Sequence, residues 1–240
     1  MITTQMVGAF KPIEGIFLRE LKNRFLCEVE IDDTPTICYV PSSCHLGNFL
    51  QLKGKQVLLI KNQGEKTRTK YALFAMPYKR SYILLSPATA NQAVALSLKS
   101  RRFSFLGSRQ RFQPEYTIDG YKADLYIEDT HTIVEIKAVI TTQASAVFPT
   151  VFSERTLKQL TALDQRLNSG QRACMLIISL SPYVQTLQIN TKTEFFEKLR
   201  CCIDKGLILR SFCCRYDPKE GIKIDKSIPI DYEGKGALSG

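Results

Sequence analysis

The chain has no Cys-x-x-Cys pair, only two histidines, no long apolar run and fewer acids than bases, and each shortage removes a class of protein. Its eight cysteines are Cys27, Cys38, Cys44, Cys174, Cys201, Cys202, Cys213 and Cys214. Their spacing fits neither a zinc ribbon nor a small secreted domain stapled by disulfides. Most of them fall inside apolar strands or a helix, where a thiol behaves as a small hydrophobe, so a reduced, cytoplasmic protein is expected. The longest apolar run, residues 173–180, is far too short to span a bilayer, and no signal pattern opens the chain, so no membrane partner is expected. Internal repeats and low-complexity tracts are also missing. His45 stands beside Cys44, but no third residue that would orient a thiol nucleophile is visible.

What is present is size, apolar content and positive charge. At 240 residues with 44% hydrophobic, the chain holds one large domain or two modest ones with real cores. Its 33 Lys and Arg against 23 Asp and Glu give a formal net charge of +10, which points to polyanionic partners. The bases are clustered. Residues 99–111 carry Lys99, Arg101, Arg102, Arg109 and Arg111 with no acid, interleaved with Phe103 and Phe105 and followed by Phe112. Arginines neutralise phosphates in a salt-sensitive way, and exposed phenylalanines stack on unpaired bases. The plainer reading has the phenylalanines facing a core and the arginines facing water. A second patch, Lys61, Lys66, Arg68 and Lys70, lies in a Gly-containing loop. It suits a barrel loop that grips nucleic acid, or an ordinary solvated turn.

The most specific feature is Asp124 in "GYKADLYI" followed by Glu135 and Lys137 in "TIVEIKAV". Alternate residues of a strand share a face, so Glu135 and Lys137 point the same way roughly 7 Å apart, while Val134 and Ile136 point into a core. Asp124 is out of phase with Ala123, Leu125 and Ile127. A hairpin through Glu128, Asp129, Thr130 and His131 brings the three groups together. His131 in that turn is either a proton-transfer aid or merely solvated. Two carboxylates and an ammonium suit a hard divalent cation and phosphodiester hydrolysis. Glu-x-Lys alone is equally the pattern of a solvated surface ion pair worth ~0–1 kcal/mol.

The stretch from Ala123 onward resembles the sugar fermentation stimulation protein A (SfsA) family of DNA/RNA nucleases. The residues that carry the likeness are Ala123-Asp124-Leu125, Val134-Glu135-Ile136-Lys137, Phe148-Pro149, Ser153-Glu154-Arg155 with Lys158 and Leu160, and Gly170-Gln171-Arg172-Ala173. The segments "NRFLCEVEIDD", "ATANQAVALSL" and "PKEGIKIDKSIPI" also sit where the family has their counterparts.

The resemblance implies an α+β architecture, an OB-like β-barrel over residues 1–85 joined to a restriction-endonuclease-like, PD-(D/E)xK mixed sheet flanked by helices over 86–232. A flexible tail over 233–240 would follow. It implies Asp124, Glu135 and Lys137 as the catalytic trio, with Mg²⁺ or Mn²⁺ held by Asp124, Glu135 and the carbonyl of Ile136. Glu154 and Gln159 are accessory candidates. DNA or RNA would be held by Arg24, Lys66, Arg68, Arg101, Arg102, Arg109, Arg111, Arg155 and Lys158.

The departures are specific as well. The family has an Asn after a proline where this chain has Pro41-Ser42, and a Gly at Cys44. It carries a helix glutamate near Leu96, an aspartate at Thr150 and a histidine at Gln159. Three readings therefore stay open: a metal-dependent endonuclease, a binding regulator with weak or no catalysis, and a subunit of a nucleoprotein assembly. The oligomeric state, homodimer included, is left open too.

Turn signals divide residues 15–85 into six short strands, and 88–98 reads as a helix. Strands are expected around 115–128 and 132–140. Ser153 is the expected N-cap of a helix with Leu157, Leu160, Leu163 and Leu167 on one face, which would turn Glu154, Arg155 and Lys158 toward the trio. A buried strand over 174–180, a helix over 193–205 stopped by Gly206, and a strand over 207–216 complete the pattern.

Overall fold

Alternating burial along the first strands is what closes the amino-terminal half. The computed structural model describes residues 11–42, 45–62 and 67–232. It opens with β1 (Ile13–Glu20), β2 (Leu26–Ile31), β3 (Thr34–Tyr39), β4 (Gln56–Lys61), β5 (Tyr71–Tyr78) and β6 (Ser81–Leu84). On β2, Cys27, Val29 and Ile31 point inward while the residues between them do not. The β2–β3 turn uses left-handed Asp32 and Asp33, at φ 48° and 57°, as a tight hairpin requires. Antiparallel pairing runs β3-β2-β1-β4-β5-β6, and a parallel contact of Tyr39 with Ala72 joins β3 to β5 and closes an OB-type barrel. Gly15 sits where β1 crosses β2, and a Cβ there would lie 2.6 Å from Val29 Cγ1. It would also lie 2.8 Å from the Glu30 carbonyl oxygen, so any side chain there would force the backbone to shift.

The second half follows as α1 (Ala88–Ser97), β7 (Phe112–Pro114), β8 (Thr117–Ile118), β9 (Tyr121–Lys122), β10 (Leu125–Ile127), β11 (Thr132–Val139), β12 (Ser145–Phe148) and α2 (Glu154–Asn168). Then come β13 (Arg172–Ser179), β14 (Thr186–Ile189), α3 (Glu194–Asp204), β15 (Ile208–Asp217), β16 (Gly221–Ser227) and β17 (Ile230–Asp231). Its main sheet is mixed, in the order β16-β15-β13-β11-β10-β7, with β11, β13 and β15 parallel. A small sheet of β12, β14 and β17 flanks it.

Near-continuous apolar runs such as Ala173 through Ile178 mark strands covered on both faces, and the clusters show what covers them. Val134, Ile136, Cys174, Leu176 and Phe212 pack with barrel residues and with Ala90, Ala93 and Val94 of α1. Ile133, Val139, Met175, Ile177 and Leu209 pack with Leu160 and Leu163 of α2 and Leu199 of α3. The barrel and the sheet thus share one core, and the Leu84 N–H donates to the Leu180 carbonyl at 2.9 Å across the join.

Both long helices are capped, α2 by the expected Ser153 and α3 by Thr193. Ser153 accepts from the Thr156 N–H and Thr193 from the Phe196 N–H, each at 3.2 Å. Caps of this kind contribute about 1 kcal/mol each. The strands expected around 115–128 are β8, β9 and β10, separated by a turn at Asp119 and Gly120 and a bend at Asp124. Among the described residues no helix is long and apolar enough to cross a membrane. Cys44, Lys66 and the tail over 233–240 lie outside the described residues.

Candidate active site

The hairpin of β10 and β11 pairs Leu125 with Val134 and Ile127 with Thr132, which sets Asp124 beside Glu135. Asp124 is the bend residue just before β10, and the bend reverses the alternation expected there. Ala123 belongs to the helix-side cluster and Leu125 to the barrel side. The bend aims the carboxylate back across the ladder. Its Oδ2 accepts from the Ile136 N–H at 2.8 Å, and its Oδ1 accepts from Asn91 Nδ2 at 3.0 Å.

Glu135 and Lys137 share the helix-side face of β11 with Ile133 and Val139, which pack on that side. Lys137 Nζ donates to Glu135 Oε1 at 2.8 Å, and their side chains are 15% and 1% exposed. Gln159 of α2 bridges them, its Nε2 donating to Glu135 Oε1 and its Oε1 accepting from Lys137 Nζ. Tyr121 of β9 donates its hydroxyl to Glu135 Oε2 at 2.6 Å. This is a buried network and not the solvated strand pair that Glu-x-Lys alone would suggest. Burial pushes the Glu135 carboxyl above its ordinary range, with Lys137 pulling it back and Asp124 adding to the rise. The Tyr121 hydroxyl is also pushed up, first by burial and then by the Glu135 charge, so it stays a donor.

Asn91 and Tyr121 were not singled out by sequence reasoning. The only hint for Asn91 is an amide in an alanine-rich helix, and for Tyr121 its position three residues before Asp124 in "GYKADLYI". Gln159 was an accessory candidate, and the structure places it in direct contact with two members of the trio. Leu96 is 47% exposed, so α1 reaches the site through Asn91 and brings no acid there. Thr150 lines a cleft with Phe152, Asn190 and Phe195.

Several expected phosphate ligands are used otherwise. Arg109 clamps the end of α1, donating to the carbonyls of Leu98 at 2.6 Å, Ser100 at 2.7 Å and Gly107 at 2.8 Å. It is a structural residue. Arg111 is exposed but pairs with Asp129 at 3.1 Å. Glu154 and Lys158 line an open groove with Glu194 and Lys198 of α3, on a different strip of α2 from Gln159, and so do not turn toward the trio. Arg155 is exposed one turn before Gln159 and shares its strip. Arg24, Arg68, Arg101 and Arg102 are exposed, Arg24 lying over the Phe25 ring at 5.0 Å. Phe103 is fully buried, in line with the core reading. His131 bonds the Tyr126 hydroxyl at 2.9 Å, at the turn end of β10 and not beside Asp124. His45 bonds Glu20 at 3.1 Å.

The donor chemistry fits a hard cation: two carboxylates from adjoining segments, oxygen only. In a strand a residue's N–H and C=O leave on the same flank, so the Ile136 carbonyl faces the side on which its N–H meets Asp124. Among the described residues no group of three or more His, Cys, Asp or Glu is gathered, so bound waters and substrate oxygens would complete the shell.

Known proteins with the same organisation were found at the level of sequence and of fold. A family model described as the sugar fermentation stimulation protein RE domain matches residues 88–220, and one described as the SfsA N-terminal OB domain matches 20–85. A sugar fermentation stimulation protein homolog of Natranaerobius thermophilus is 24% identical over 227 residues, covering 91% of this chain and 93% of the relative. One of Desulfitobacterium hafniense is 29% identical over 184 residues, covering 75% and 78%. The structure of Pyrococcus furiosus SfsA in complex with Ca²⁺ superposes with a TM-score of 0.81 at 17% identity, covering 95% of this chain and 100% of that one.

Proposed function

Because the chain belongs to the sugar fermentation stimulation protein (SfsA) family, we propose that it is a divalent-cation-dependent nuclease hydrolysing phosphodiester bonds of DNA, RNA or both. One observation carries the reading. Asp124, Glu135 and Lys137 converge, with Lys137 on Glu135 at 2.8 Å and Asp124 on the Ile136 N–H at 2.8 Å. Asp124, Glu135 and the Ile136 carbonyl would hold Mg²⁺ or Mn²⁺. When bound, such a cation polarises a phosphoryl oxygen, lowers the pKa of a bound water and offsets charge on the leaving oxygen. That the P. furiosus protein was solved with Ca²⁺ supports the cation part of this reading.

The chain's own residues do the rest. Asn91 and the Ile136 N–H hold the Asp124 carboxylate in one orientation. Gln159 and Glu135 take two of the three N–H groups of Lys137. The third is left to hold the attacking water and to stabilise charge growing on the phosphoryl oxygens. Arg155, exposed one turn before Gln159, would meet a neighbouring phosphate, and Arg24, Arg68, Arg101 and Arg102 would add sequence-independent attraction.

The test is cleavage of labelled single- and double-stranded DNA and RNA in Mg²⁺, Mn²⁺ or chelator. Cleavage is expected with metal only. It should fall at least ~100-fold in Asp124→Ala and in Lys137→Ala. Cleavage that survives both changes would overturn this site. A second reading, a nucleic-acid-binding protein with weak or no catalysis, is favoured by the pair of acids standing where Leu96 supplies no third. Salt-sensitive binding without turnover in any metal would decide for it.

A further inference from the structure

The cleft beside Thr150 lies outside the network of Asp124, Glu135 and Lys137, yet next to it. It opens between the amino-terminal ends of α2 and α3, whose caps Ser153 and Thr193 both line it, and its volume is about 160 Å³. Pro149, Val151, Phe152, Leu157 and Phe195 give it apolar walls. Phe195 is buried and meets the Phe148 ring edge-on at 5.2 Å, so that wall is fixed. Phe152 is 74% exposed, the most of any large hydrophobic among the described residues, and Val151 beside it is exposed too. Two polar groups in the cleft are free. Asn190 Oδ1 accepts from the Lys192 N–H at 3.1 Å, but its Nδ2 and the Thr150 hydroxyl have no partner among the described residues. No Lys or Arg lines the cleft, and its one charged residue is Glu194, so nothing in it would hold a phosphate. A neutral planar ring with hydrogen-bonding groups on its edge suits it, with walls to stack on and the Asn190 amide to donate. Thr156 also lines the cleft, and Gln159, three residues further on the same strip of α2, accepts from Lys137 Nζ. The separation along α2 is about one turn, roughly 5 Å, which a single nucleotide covers from its phosphate to its base.

We propose that this cleft takes one unpaired base of the strand whose phosphate lies at Lys137, stacked against Phe152, and so directs the protein to single strands and unpaired stretches. This rests on the reading of Lys137 as the residue at the scissile phosphate. The cleft has room for one base and not for a base pair, so a duplex engages it only by opening, which costs unstacking and unpairing. Every base has a π face, so the selection acts on pairing and not on base order.

The experiment is fluorescence anisotropy of the full chain with a labelled single strand of mixed sequence and with its duplex, in chelator so that nothing is cut. Cleavage of both in Mg²⁺ or Mn²⁺ follows. The wild type should bind the single strand at least about tenfold more tightly than the duplex at equal salt. Phe152→Ala, at an exposed position where truncation leaves the core intact, should weaken single-strand binding about tenfold and duplex binding less than about twofold, with the salt slope unchanged. Phe152→Tyr keeps the ring and should bind as the wild type does. A wild type without single-strand preference, or a Phe152→Ala variant that loses both substrates equally or neither, overturns the base cleft. Cleavage that needs metal and Lys137 alongside either result leaves the nuclease reading standing. The expected loss in Phe152→Ala with no cleavage in any metal supports the base cleft and overturns the nuclease reading alone. If the wild type binds neither substrate, both fail.

Discussion

Replacing Lys137 with methionine should destabilise the fold, and by an amount that grows with pH. The two side chains are 15% and 1% exposed with a 2.8 Å contact, so screening by water is slight. A solvated pair would be worth ~0–1 kcal/mol. Stranding one partner of a buried pair costs about 3–5 kcal/mol. Two features lower that figure here. Glu135 keeps the Tyr121 hydroxyl and the Gln159 amide, and it is free to take up a proton because burial already raises its pKa. A loss of about 2–3 kcal/mol at pH 8 follows.

The pH dependence has a definite sign. A carboxyl whose pKa is higher folded than unfolded binds its proton more tightly in the folded chain. The stability it contributes is complete below the unfolded pKa and is lost as pH rises through the folded one. Removing Lys137 takes away the charge that lowers Glu135, and Asp124 continues to raise it. The penalty should therefore shrink to under ~1 kcal/mol at pH 5 and widen toward pH 8. Adding Glu135→Gln to the variant should abolish that dependence. Urea unfolding followed by far-ultraviolet circular dichroism at both pH values measures each quantity. A penalty below ~1 kcal/mol at pH 8, or equal at the two pH values, would refute the buried-pair argument and return Glu135 and Lys137 to an ordinary screened contact.

Three further outcomes separate the roles of residues that look alike in sequence. Arg109→Ala should cost about 2 kcal/mol in thermal unfolding, since it leaves the carbonyls that end α1 without their guanidinium, yet leave nucleic-acid affinity of the folded protein within about twofold. Arg155→Ala should weaken duplex binding and reduce the logarithmic salt slope by about one, while Lys158→Ala, in the groove with Glu194 and Lys198, should change it less; filter binding across a salt series reads both. Gln159→Leu should keep the fold by circular dichroism and lower kcat about tenfold with KM little changed, because it frees Lys137 without touching the substrate's path.

The parts that were legible are those in which a local pattern has a single physical solution. Alternation on β2 and β11, the cap Ser153, and the leucine face of α2 are each decided within a few residues, and they appear where the pattern puts them. Asp124, Glu135 and Lys137 were legible because three charged groups on apolar strands have no use in packing. Arg109 shows the limit. Its neighbours in sequence are basic, but its partners, the carbonyls of Leu98, Ser100 and Gly107, are made available only when α1 ends beside it. Phase failed at Asp124 for a related reason: strand alternation assumes a straight ladder, and the bend there breaks it.

The amino-acid sequence by itself determined the short strands and the helices, since hydrophobic periodicity and turn residues act over short range, and its resemblance to a known family supplied the barrel-then-sheet order and the three candidate groups. Only the tertiary structure decided that Glu135 is buried, that Asn91 and Gln159 arrive from helices 33 residues before Asp124 and 24 after Glu135, and that Tyr121 lies on the carboxylate. Contacts of that separation cost chain entropy that no local pattern records, and they exist because the barrel, α1 and α2 are packed against opposite faces of one sheet.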